Sequence, residues 1–381
     1  MSYLGEDIKK LGFGLMRLPK IGEAIDIGQT KKMADLFMDA GFTYFDTAWA
    51  YPGSEDAIRQ ALIERYPRDR FTIATKNACW KECRTREDAV GQFETSLKQT
   101  GAGYFDFYLL HNLGEARTKA FDDFDMWNFV LQKKKEGMIR HIGFSFHDKA
   151  AVLEEILKKH ADQVDFVQLQ INYADWNNPA VESRKCYETA RRFGKPVVIM
   201  EPVKGGTLAK LPQDVEDIFK KADPDASSAS WAIRFAASLD GVITVLSGMS
   251  NIDQMQNNLS YMKDFKKLTD AERKVIEDVR TKLESYRSIP CTSCGYCMKG
   301  CPQKIAIPGI FDAMNLYKMY GDRNAARGKF KWNTDGVGLA KGSACIRCGA
   351  CEKVCPQHLK IRDLLAETVP VLEENGENEK K

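Results

Sequence analysis

The chain has 381 residues, which is too long for one ordinary domain and about right for a barrel of ~250 residues joined to a smaller module. Hydrophobic residues make up 44% of it, enough for a sizeable core. The formal net charge of +3 comes without a long basic run interleaved with aromatic residues, so nucleic-acid binding is not expected.

The first residues, Met1–Asp7, contain no basic start followed by an apolar stretch, and no run of ~18 apolar residues occurs along the chain. We therefore expect no secretory signal, no membrane span and a cytoplasmic location. There are 11 cysteines, and most of them fall in two short clusters. In a reducing compartment this spacing is typical of metal ligation rather than of disulfides.

Short apolar runs alternate with amphipathic segments between about residue 40 and residue 265, which predicts parallel strands joined by helices. We count seven strands and expect a weaker eighth before Gln29. The predicted strands are Tyr44–Asp46, Phe71–Thr75, Phe105–Leu110, Arg140–Phe144, Phe166–Leu169, Val197–Met200 and Val242–Leu246. The predicted helices are Gln29–Asp39, Glu87–Gln99, Phe124–Glu136, Lys149–His160, Pro179–Phe193, Ser227–Leu239 and Ile252–Tyr261.

This alternation favours an α/β fold of the (β/α)8 TIM-barrel type, although a doubly wound sheet would alternate similarly. The G-x-G-x-x-G turn after a first strand is absent, which argues against a dinucleotide-binding sheet. We assign residues 1–270 to the barrel, 271–287 to a helical connector and 288–366 to a small, mainly α-helical domain. The charged tail, residues 367–381, is expected to be disordered.

The small domain carries one cysteine motif twice, C-x-x-C-x-x-C-x-x-x-C-P at Cys291–Pro302 and again at Cys345–Pro356. Three thiolates spaced by three residues reach three corners of one 4Fe–4S cubane, while the fourth cysteine points to a second cluster. Zinc is the alternative, although zinc favours paired C-x-x-C hooks with four ligands in all. One predicted ligand set is Cys291, Cys294, Cys297 and Cys355, and the other is Cys345, Cys348, Cys351 and Cys301.

The double motif resembles bacterial-type dicluster ferredoxins at all its cysteines. The long separation between the halves, with a predicted helix at Pro308–Met319, is similar to the helical ferredoxin modules of redox-complex subunits. The connecting stretch either docks an acidic redox carrier of the ferredoxin or flavodoxin type, or is a solvated loop that offsets the charge of the clusters. Its basic residues are Lys304, Lys318, Arg323, Arg327, Lys329, Lys331 and Lys341, against Asp312, Asp322 and Asp335.

Polar residues end three successive strands of the predicted barrel: Asp46, Lys76 and His111, with Tyr51 on the loop after Asp46. Taken singly, each has a structural explanation as a helix cap, a solvated lysine or a buried histidine. The carboxyl ends of parallel barrel strands converge on one mouth, however, so the four side chains should meet there.

The set resembles the Asp, Tyr, Lys and His tetrad of the aldo/keto reductase family. The match includes D-T-A-x-x-Y at Asp46–Tyr51, A-T-K at Ala74–Lys76 and L-L-H at Leu109–His111, and the opening Leu11–Pro19 is also similar. The resemblance covers roughly residues 8–265. Aldo/keto reductases with this same cluster tail form a recognisable group, and the whole chain resembles them.

The resemblance implies that Tyr51 donates a proton to a carbonyl oxygen as hydride reaches the carbon. A free tyrosine has a pKa near ~10, so a cationic Lys76 beside it is expected to make donation easier. Asp46 would fix Lys76 in place, and His111 would orient the substrate oxygen by a hydrogen bond.

The resemblance also implies nicotinamide contacts. Ser145 and Gln168 match the residues that hold the nicotinamide amide, while Met200 replaces the family's stacking tyrosine. Gly248 replaces a lysine that many members use for the 2′-phosphate, Gln254 stands where they place an arginine, and only Asn258 keeps its type. We therefore expect two 4Fe–4S clusters together with NAD(P)H, with NADH or a different cofactor favoured over NADPH.

The predicted function is that of an oxidoreductase that reduces a small carbonyl compound or oxidises the alcohol, while the clusters relay electrons. Clusters move single electrons and nicotinamide moves a hydride, and no flavin motif is visible to mediate between them. The alternative is an electron-transfer module of a larger complex, with the barrel as a docking scaffold. Cys79 and Cys83 either face the substrate mouth or are two free thiols, and Cys186 is expected to pack within a helix.

Overall fold

The computed structural model of the chain describes residue 4, residues 7–179 and residues 181–373. Its strands are β1 (Leu11–Gly14), β2 (Lys20–Ile21), β3 (Ala24–Ile25), β4 (Tyr44–Asp46), β5 (Thr72–Asn77), β6 (Phe105–Leu113), β7 (Ile139–Phe146), β8 (Phe166–Gln170), β9 (Val197–Met200) and β10 (Val242–Ser247). A closed parallel barrel runs in the order β1-β10-β9-β8-β7-β6-β5-β4, and β2 pairs with β3 in a separate hairpin. The predicted (β/α)8 fold class is confirmed, and β1 is the expected eighth strand.

Helices connect the barrel strands and build the C-terminal part of the chain. The helix after β5 begins with a capping box, in which the Thr85 and Asp88 side chains each accept from the other residue's backbone N–H. The helices are α1 (Ile27–Asp39), α2 (Ser54–Ile58), α3 (Arg86–Thr100), α4 (Thr118–Asp123), α5 (Met126–Lys135), α6 (Ala150–His160), α7 (Ser183–Arg192), α8 (Gln213–Ala222), α9 (Ser228–Ala237), α10 (Ile252–Met262), α11 (Asp270–Ser285), α12 (Tyr296–Lys299), α13 (Ile307–Tyr320), α14 (Arg323–Asn333), α15 (Ala350–Lys353) and α16 (Ile361–Leu372).

Aromatic side chains fill the interior of the barrel. The ring of Phe107 lies 5.0 Å from that of Tyr44 and 5.0 Å from that of Phe166, both edge to face. A Cβ atom at Gly143 would lie 2.6 Å from the ring of Phe166, so only glycine leaves room for this packing. The barrel is therefore closed by a dense core, which holds the strand ends at fixed positions.

A buried carboxylate joins three strands at the end of the barrel where the strands begin. Asp106, near the start of β6, accepts hydrogen bonds from Arg68 at 2.8 Å, from Arg140 at 2.9 Å and from the backbone N–H of Ile73 at 2.9 Å. The Asp106 side chain is only 2% exposed. Because a buried charge is costly unless it is paired, these donors are needed to keep the carboxylate in place.

The described chain divides into two compact units. The first ends at Val203 and resumes over Ala226–Arg273, while the second contains Lys204–Asp225 together with the chain from Lys274 onward. The segment Lys204–Asp225, which includes α8, therefore lies within the barrel region of the sequence but belongs to the second unit. In this unit Asp214 of α8 accepts a hydrogen bond from Tyr286 at 2.5 Å and pairs with Lys282 at 2.7 Å.

The second unit is built mainly from helices that pack around one apolar core. Buried residues of α13, α14 and α16 meet there, including Phe311, Phe330 and Leu365. Helix α16 continues to Leu372, so residues 367–372 are helical and not part of a disordered tail as the sequence had suggested. Residues 374–381 of the predicted tail lie outside the described residues.

Within the described part of the chain, no helix combines the length and apolar character that crossing a bilayer requires.

Substitution Asp106→Ala is expected to destabilise the barrel by about 2–4 kcal/mol, because it leaves two guanidinium groups and one buried N–H without their acceptor. Denaturant unfolding monitored by near-ultraviolet circular dichroism checks this. The matched control is Asp123→Ala. The Asp123 side chain is 50% exposed and pairs with Lys119, so its removal should lower the free energy of unfolding by less than about 1 kcal/mol. Equal losses in the two variants would contradict the structural role of Asp106.

Candidate functional site

Four predicted side chains come together at the mouth formed by the carboxyl ends of the strands. Asp46 ends β4, Lys76 and His111 lie late in the neighbouring strands β5 and β6, and Tyr51 follows in the turn before α2. The strand register sets Asp46 opposite Ala74 and places Lys76 two residues further toward the mouth. The barrel therefore holds the tetrad through three adjacent strands and one short turn.

The centre of the site is a buried ion pair. Lys76 Nζ lies 2.5 Å from Asp46 Oδ1 and donates to the carbonyl of Thr47 at 2.6 Å. Lys76 is 1% exposed and Asp46 is 3% exposed. Burial lowers the pKa of Lys76, while the charge of the Asp46 carboxylate raises it. For Asp46 the two effects are reversed: burial raises its pKa, while the charge of Lys76 lowers it. The two charges therefore hold each other in a place that water does not reach.

Tyr51 and His111 lie beside this pair. Lys76 Nζ is 5.1 Å from the centroid of the Tyr51 ring, and the rings of Tyr51 and His111 are 5.8 Å apart and nearly perpendicular. Burial lowers the pKa of His111 well below its usual range, and the charge of Lys76 adds to the effect. His111 is therefore a neutral imidazole at neutral pH, able to donate or accept one hydrogen bond at a substrate oxygen. Its Nδ1 atom is buried without a hydrogen-bond partner among the described residues.

Two further residues, Trp80 and Glu55, support the tetrad. The Trp80 indole N–H donates to the backbone carbonyl of His111 at 2.7 Å and so ties the loop after β5 to β6. Glu55 in α2 is 2% exposed and accepts from Thr75 Oγ1 at 2.6 Å, directly beside Lys76 in the chain. Burial raises the pKa of Glu55. No sequence signal distinguishes Glu55 from an ordinary acid in the first turn of a helix.

The residues predicted to hold the nicotinamide lie on the next three strands around the barrel. Ser145 and Gln168 are paired in register on β7 and β8, and Met200 ends β9. Ser145 Oγ accepts from the backbone N–H of Asn112 at 2.7 Å. The Gln168 amide oxygen is buried and has no hydrogen-bond partner within the described part of the chain. An orphaned amide acceptor at this position fits the N–H donors of a carboxamide group.

Two of the residues predicted to lie at the phosphate end of the cofactor, Gln254 and Asn258, form hydrogen bonds within the protein instead. Asn258 donates to Ser247 Oγ at 2.7 Å and accepts from the Tyr261 hydroxyl at 2.6 Å, so both ends of its amide are engaged within the protein. Gln254 accepts from the backbone N–H of Ser250 at 2.7 Å. At Gly248 the nearest heavy atoms to an added Cβ lie at 3.9 Å, so the position has room for a side chain but supplies no cation.

Eight cysteines surround two cavities in the second unit, four at each. The first cavity is completed by apolar residues that include Ile307, Phe311 and Leu359. Burial raises the pKa of Cys291 to about 11, and a metal cation beside this sulfur would favour its thiolate form. The cysteines that line this cavity are Cys291, Cys294, Cys297 and Cys355.

The second cavity has a more exposed edge. It is lined in addition by Ile305, Ile346 and Arg347. Its member Cys348 is exposed and Ile346 is 60% exposed, whereas no cysteine of the first cavity is exposed. The cysteines that line it are Cys301, Cys345, Cys348 and Cys351, so each cavity takes three cysteines from one motif and the last from the other.

The turn after Val203 lies against the first cysteine motif. Gly205 has φ +66°, and a Cβ added there would lie 2.4 Å from the backbone oxygen of Thr292, the neighbour of Cys291. Only a residue without a side chain allows this approach. The segment Lys204–Asp225 therefore seats the loop that carries the first three cysteines.

The basic stretch between the motifs is partly neutralised by its own acids. Lys329 pairs with Asp312 at 2.7 Å and Lys341 pairs with Asp335 at 3.3 Å. Arg327 donates to a backbone carbonyl in α16. These contacts favour a structural role for part of the stretch over a purely basic docking patch.

The remaining cysteines are not arranged for reactivity. Cys79 is buried, and burial raises its pKa and that of Cys83. Cys186 lies in α7, and burial raises its pKa to about 12. A thiol with a raised pKa is a poor nucleophile at neutral pH.

Comparison with known proteins agrees with both parts of the structure. Residues 10–281 match the model of the aldo/keto reductase family, and residues 290–359 match that of a 4Fe–4S dicluster domain. A 9,11-endoperoxide prostaglandin H2 reductase of Trypanosoma cruzi is 26% identical over 273 residues, which are 69% of this chain and 88% of that protein. An uncharacterised oxidoreductase of Schizosaccharomyces pombe is 27% identical over 272 residues, which are 66% of this chain and 81% of that protein.

Solved structures show the same barrel. An aldo-keto reductase of Bacillus halodurans in its holo form has a TM-score of 0.56 at 23% identity and covers 71% of this chain and 92% of its own. An aldo-keto reductase of Klebsiella pneumoniae in complex with NADPH has a TM-score of 0.56 at 20% identity, covering 72% of this chain and 91% of its own. The match of the family model over most of the chain shows that this protein is an oxidoreductase of the aldo/keto reductase family that carries a C-terminal 4Fe–4S dicluster domain.

Proposed function

We propose that the barrel reduces the carbonyl group of a small molecule, or oxidises the corresponding alcohol, with Tyr51 as the proton donor. The observation that carries this proposal is the buried Lys76–Asp46 pair beside Tyr51 and His111. A nicotinamide held at the strand ends would supply the hydride. The carbonyl compound, one hydride and one proton together give the alcohol, so reduction of the carbonyl group needs no further electron source.

Each member of the tetrad has one task. Tyr51 gives its hydroxyl proton to the carbonyl oxygen, and the nearby charge of Lys76 favours the tyrosinate that is left. Asp46 holds the ammonium group of Lys76. His111, neutral because it is buried, hydrogen-bonds the substrate oxygen and fixes its direction.

Ser145 and Gln168 are the side chains that would hold the carboxamide of the nicotinamide, and Met200 stands where the family's stacking tyrosine is found. The orphaned Gln168 oxygen supports this assignment. NADPH is bound by the Klebsiella pneumoniae relative, whereas here Gly248 offers no cation and Asn258 is engaged with Ser247 and Tyr261. We therefore propose NADH in preference to NADPH.

The eight motif cysteines are proposed to hold two 4Fe–4S clusters in the crossed arrangement described above. The four-cysteine lining of each cavity supports these ligand sets. The metal clusters supply one-electron transfer, and the reducing cytoplasm is the compartment in which such thiols persist. The exposed edge at Ile346 and Cys348 is the proposed contact for a ferredoxin- or flavodoxin-type carrier. A flavin bound to that partner would couple the one-electron transfer of the clusters to two-electron transfer.

The alternative is an electron-transfer module whose barrel serves as a docking scaffold. Two features favour this alternative because both weaken binding of the cofactor phosphates. The Asn258 amide is hydrogen-bonded to Ser247 and Tyr261, and Gly248 supplies no cation. Anaerobic titration of the protein with NADH and with NADPH separates the two functions. Binding of neither nucleotide, together with rapid reduction of the clusters by a reduced ferredoxin, would support the alternative.

Substitution Tyr51→Phe is expected to lower kcat for carbonyl reduction about 100-fold or more, because the ring stays in place while the proton donor is lost. Stopped-flow measurement of NADH oxidation with an aldehyde substrate checks this. The control Tyr66→Phe removes a hydroxyl that binds Asp35 and should leave kcat unchanged. Full activity in Tyr51→Phe would rule out the proposed mechanism.

The crossed ligand sets can be tested with two pairs of cysteine substitutions. Wild-type protein purified without oxygen should contain about eight iron atoms per chain. The variant Cys291→Ala/Cys355→Ala should keep about four, since both cysteines serve the same cluster, and Cys345→Ala/Cys355→Ala should lose nearly all iron. The reverse pattern would show that each motif binds its own cluster. Cys186→Ala is the control and should keep the full iron content.

A further inference from the structure

The loops of the two cysteine motifs share one backbone pattern. In each motif the residue before the second cysteine has a positive φ, +53° at Ser293 and +57° at Arg347. The glycine after that cysteine has φ +76° in the first motif and +77° in the second. Thr292 of the first loop therefore corresponds to Ile346 of the second, and a difference between these two positions reflects what surrounds each loop.

The first loop is covered, whereas the second is open. Thr292 is 3% exposed, and its backbone oxygen lies against Gly205 in the turn before α8. Ile346 is a large apolar side chain, yet it is 60% exposed, and the nearby Cys348 is exposed as well. Arg347 between them has a 57% exposed side chain. Because burying apolar surface is favourable, a protein that covers Ile346 gains free energy from the contact.

The rim of the second cavity also carries positive charge. Arg347 and Arg362 line this cavity, whereas among the described residues no lysine, arginine, aspartate or glutamate lines the first cavity. Each arginine donates to the backbone carbonyl of the other, at 3.3 and 3.4 Å, which holds both guanidinium groups at the rim. Cations in this place attract an acidic surface and favour the reduced, more negative state of a cluster.

The ion pair of Arg347 lies at the surface. Arg347 pairs with Asp363 at 2.7 Å, and both side chains are more than half exposed, so the pair adds little stability. A hydrogen bond from Arg347 lowers the pKa of Asp363, and the charge of Lys360 acts in the same direction. Because a weak, exposed pair exchanges partners easily, carboxylates of another protein can replace Asp363 at Arg347.

From these features we infer that residues 346–348 are the docking loop for an acidic ferredoxin-type carrier, and that the cluster of the second cavity exchanges electrons with it. Ile346 supplies the apolar contact, and Arg347 with Arg362 supplies the charge complementarity. A contact of this size suits a transient redox encounter. The inference rests on the proposed clusters and carrier contact, and it names the reacting cluster, the carrier and the side chains that recognise it.

The transfer balances with one electron per encounter. The reduced cluster of the carrier loses one electron, and the oxidised 4Fe–4S cluster of the second cavity gains it, so no further reactant is needed. A ferredoxin exchanges only single electrons, as this cluster does, whereas a flavin also exchanges pairs. The cluster of the first cavity is then reduced from the second and not from the carrier.

Rapid mixing with a reduced ferredoxin tests the docking loop. The rate of cluster reduction in wild-type protein should fall steeply as salt is added, because opposite charges steer the encounter. Ile346→Ser and Arg347→Gln should each lower this rate about tenfold or more at low salt. Reduction by dithionite, which needs no docking protein, should stay within about twofold of wild type in both variants.

The matched controls change similar residues that line neither cavity. Val337→Ser removes an apolar side chain that is 54% exposed, and Lys331→Gln removes an exposed cation of α14. Both should react with ferredoxin at the wild-type rate. Wild-type rates in Ile346→Ser and Arg347→Gln, or equal slowing in the two controls, would overturn the inference.

Two further measurements assign the reacting cluster and the occupant of the loop. Cys301→Ala/Cys345→Ala, which removes two ligands of the second cavity, should lose the fast reaction with ferredoxin; a fast reaction that persists there would overturn the inference. A loop-dependent reaction with reduced flavodoxin alone would overturn the choice of ferredoxin. Self-association of wild-type protein that Ile346→Ser abolishes would assign the loop to a second copy of the chain and overturn the carrier.

The iron content separates failure of this inference from failure of the proposed clusters. Ile346→Ser and Arg347→Gln should keep the wild-type content of about eight iron atoms per chain, so slower reduction in them reports on docking. Full iron content with a loop-independent reaction would overturn the docking loop and leave the clusters standing. Wild-type protein purified without oxygen that contains no iron would overturn both.

Discussion

The proposed chemistry of the barrel depends on keeping one ammonium group charged where water does not reach it. Burial lowers the pKa of Lys76, and the Asp46 carboxylate, 2.5 Å away, counters that effect. Everything at the mouth follows from this pair: Tyr51 has a cation beside its ring, and His111 is kept neutral by burial and by the same charge. The closed barrel supplies the rigidity, because β4, β5 and β6 are hydrogen-bonded neighbours whose register cannot slip without opening the ring.

The second unit follows a different constraint, the crossing of two cysteine motifs. Because each cavity takes its fourth cysteine from the other motif, neither motif can supply four cysteines to one cavity by itself. Cysteines of both motifs also belong to or pack against the apolar core formed by α13, α14 and α16. The segment Lys204–Asp225 belongs to this unit through the close contact of Gly205 with Thr292. A stretch inserted between two barrel strands thus helps to seat the proposed first cluster.

Periodicity and spacing predicted much of this architecture from the sequence. The strands Tyr44–Asp46 and Val197–Met200 have the predicted bounds, since short buried strands between helices leave little choice of ends. Helices α8 and α14 were not predicted. The sequence also did not predict that Lys204–Asp225 belongs to the second unit, because this depends on contacts between residues that are distant in sequence. The tetrad was found from strand ends and family motifs. Glu55 was not, because only the folded structure shows that its charge is buried.

The pH dependence of kcat/KM in Asp46→Asn tests the central pair most directly. The substitution keeps the shape of the side chain but removes the charge that raises the pKa of Lys76, so burial alone then acts on the ammonium group. Lys76 should lose its proton at a lower pH, and the alkaline limb of the profile should move down by about one pH unit or more relative to wild type. An alkaline limb that stays in place, with activity lowered equally at every pH, would contradict the account.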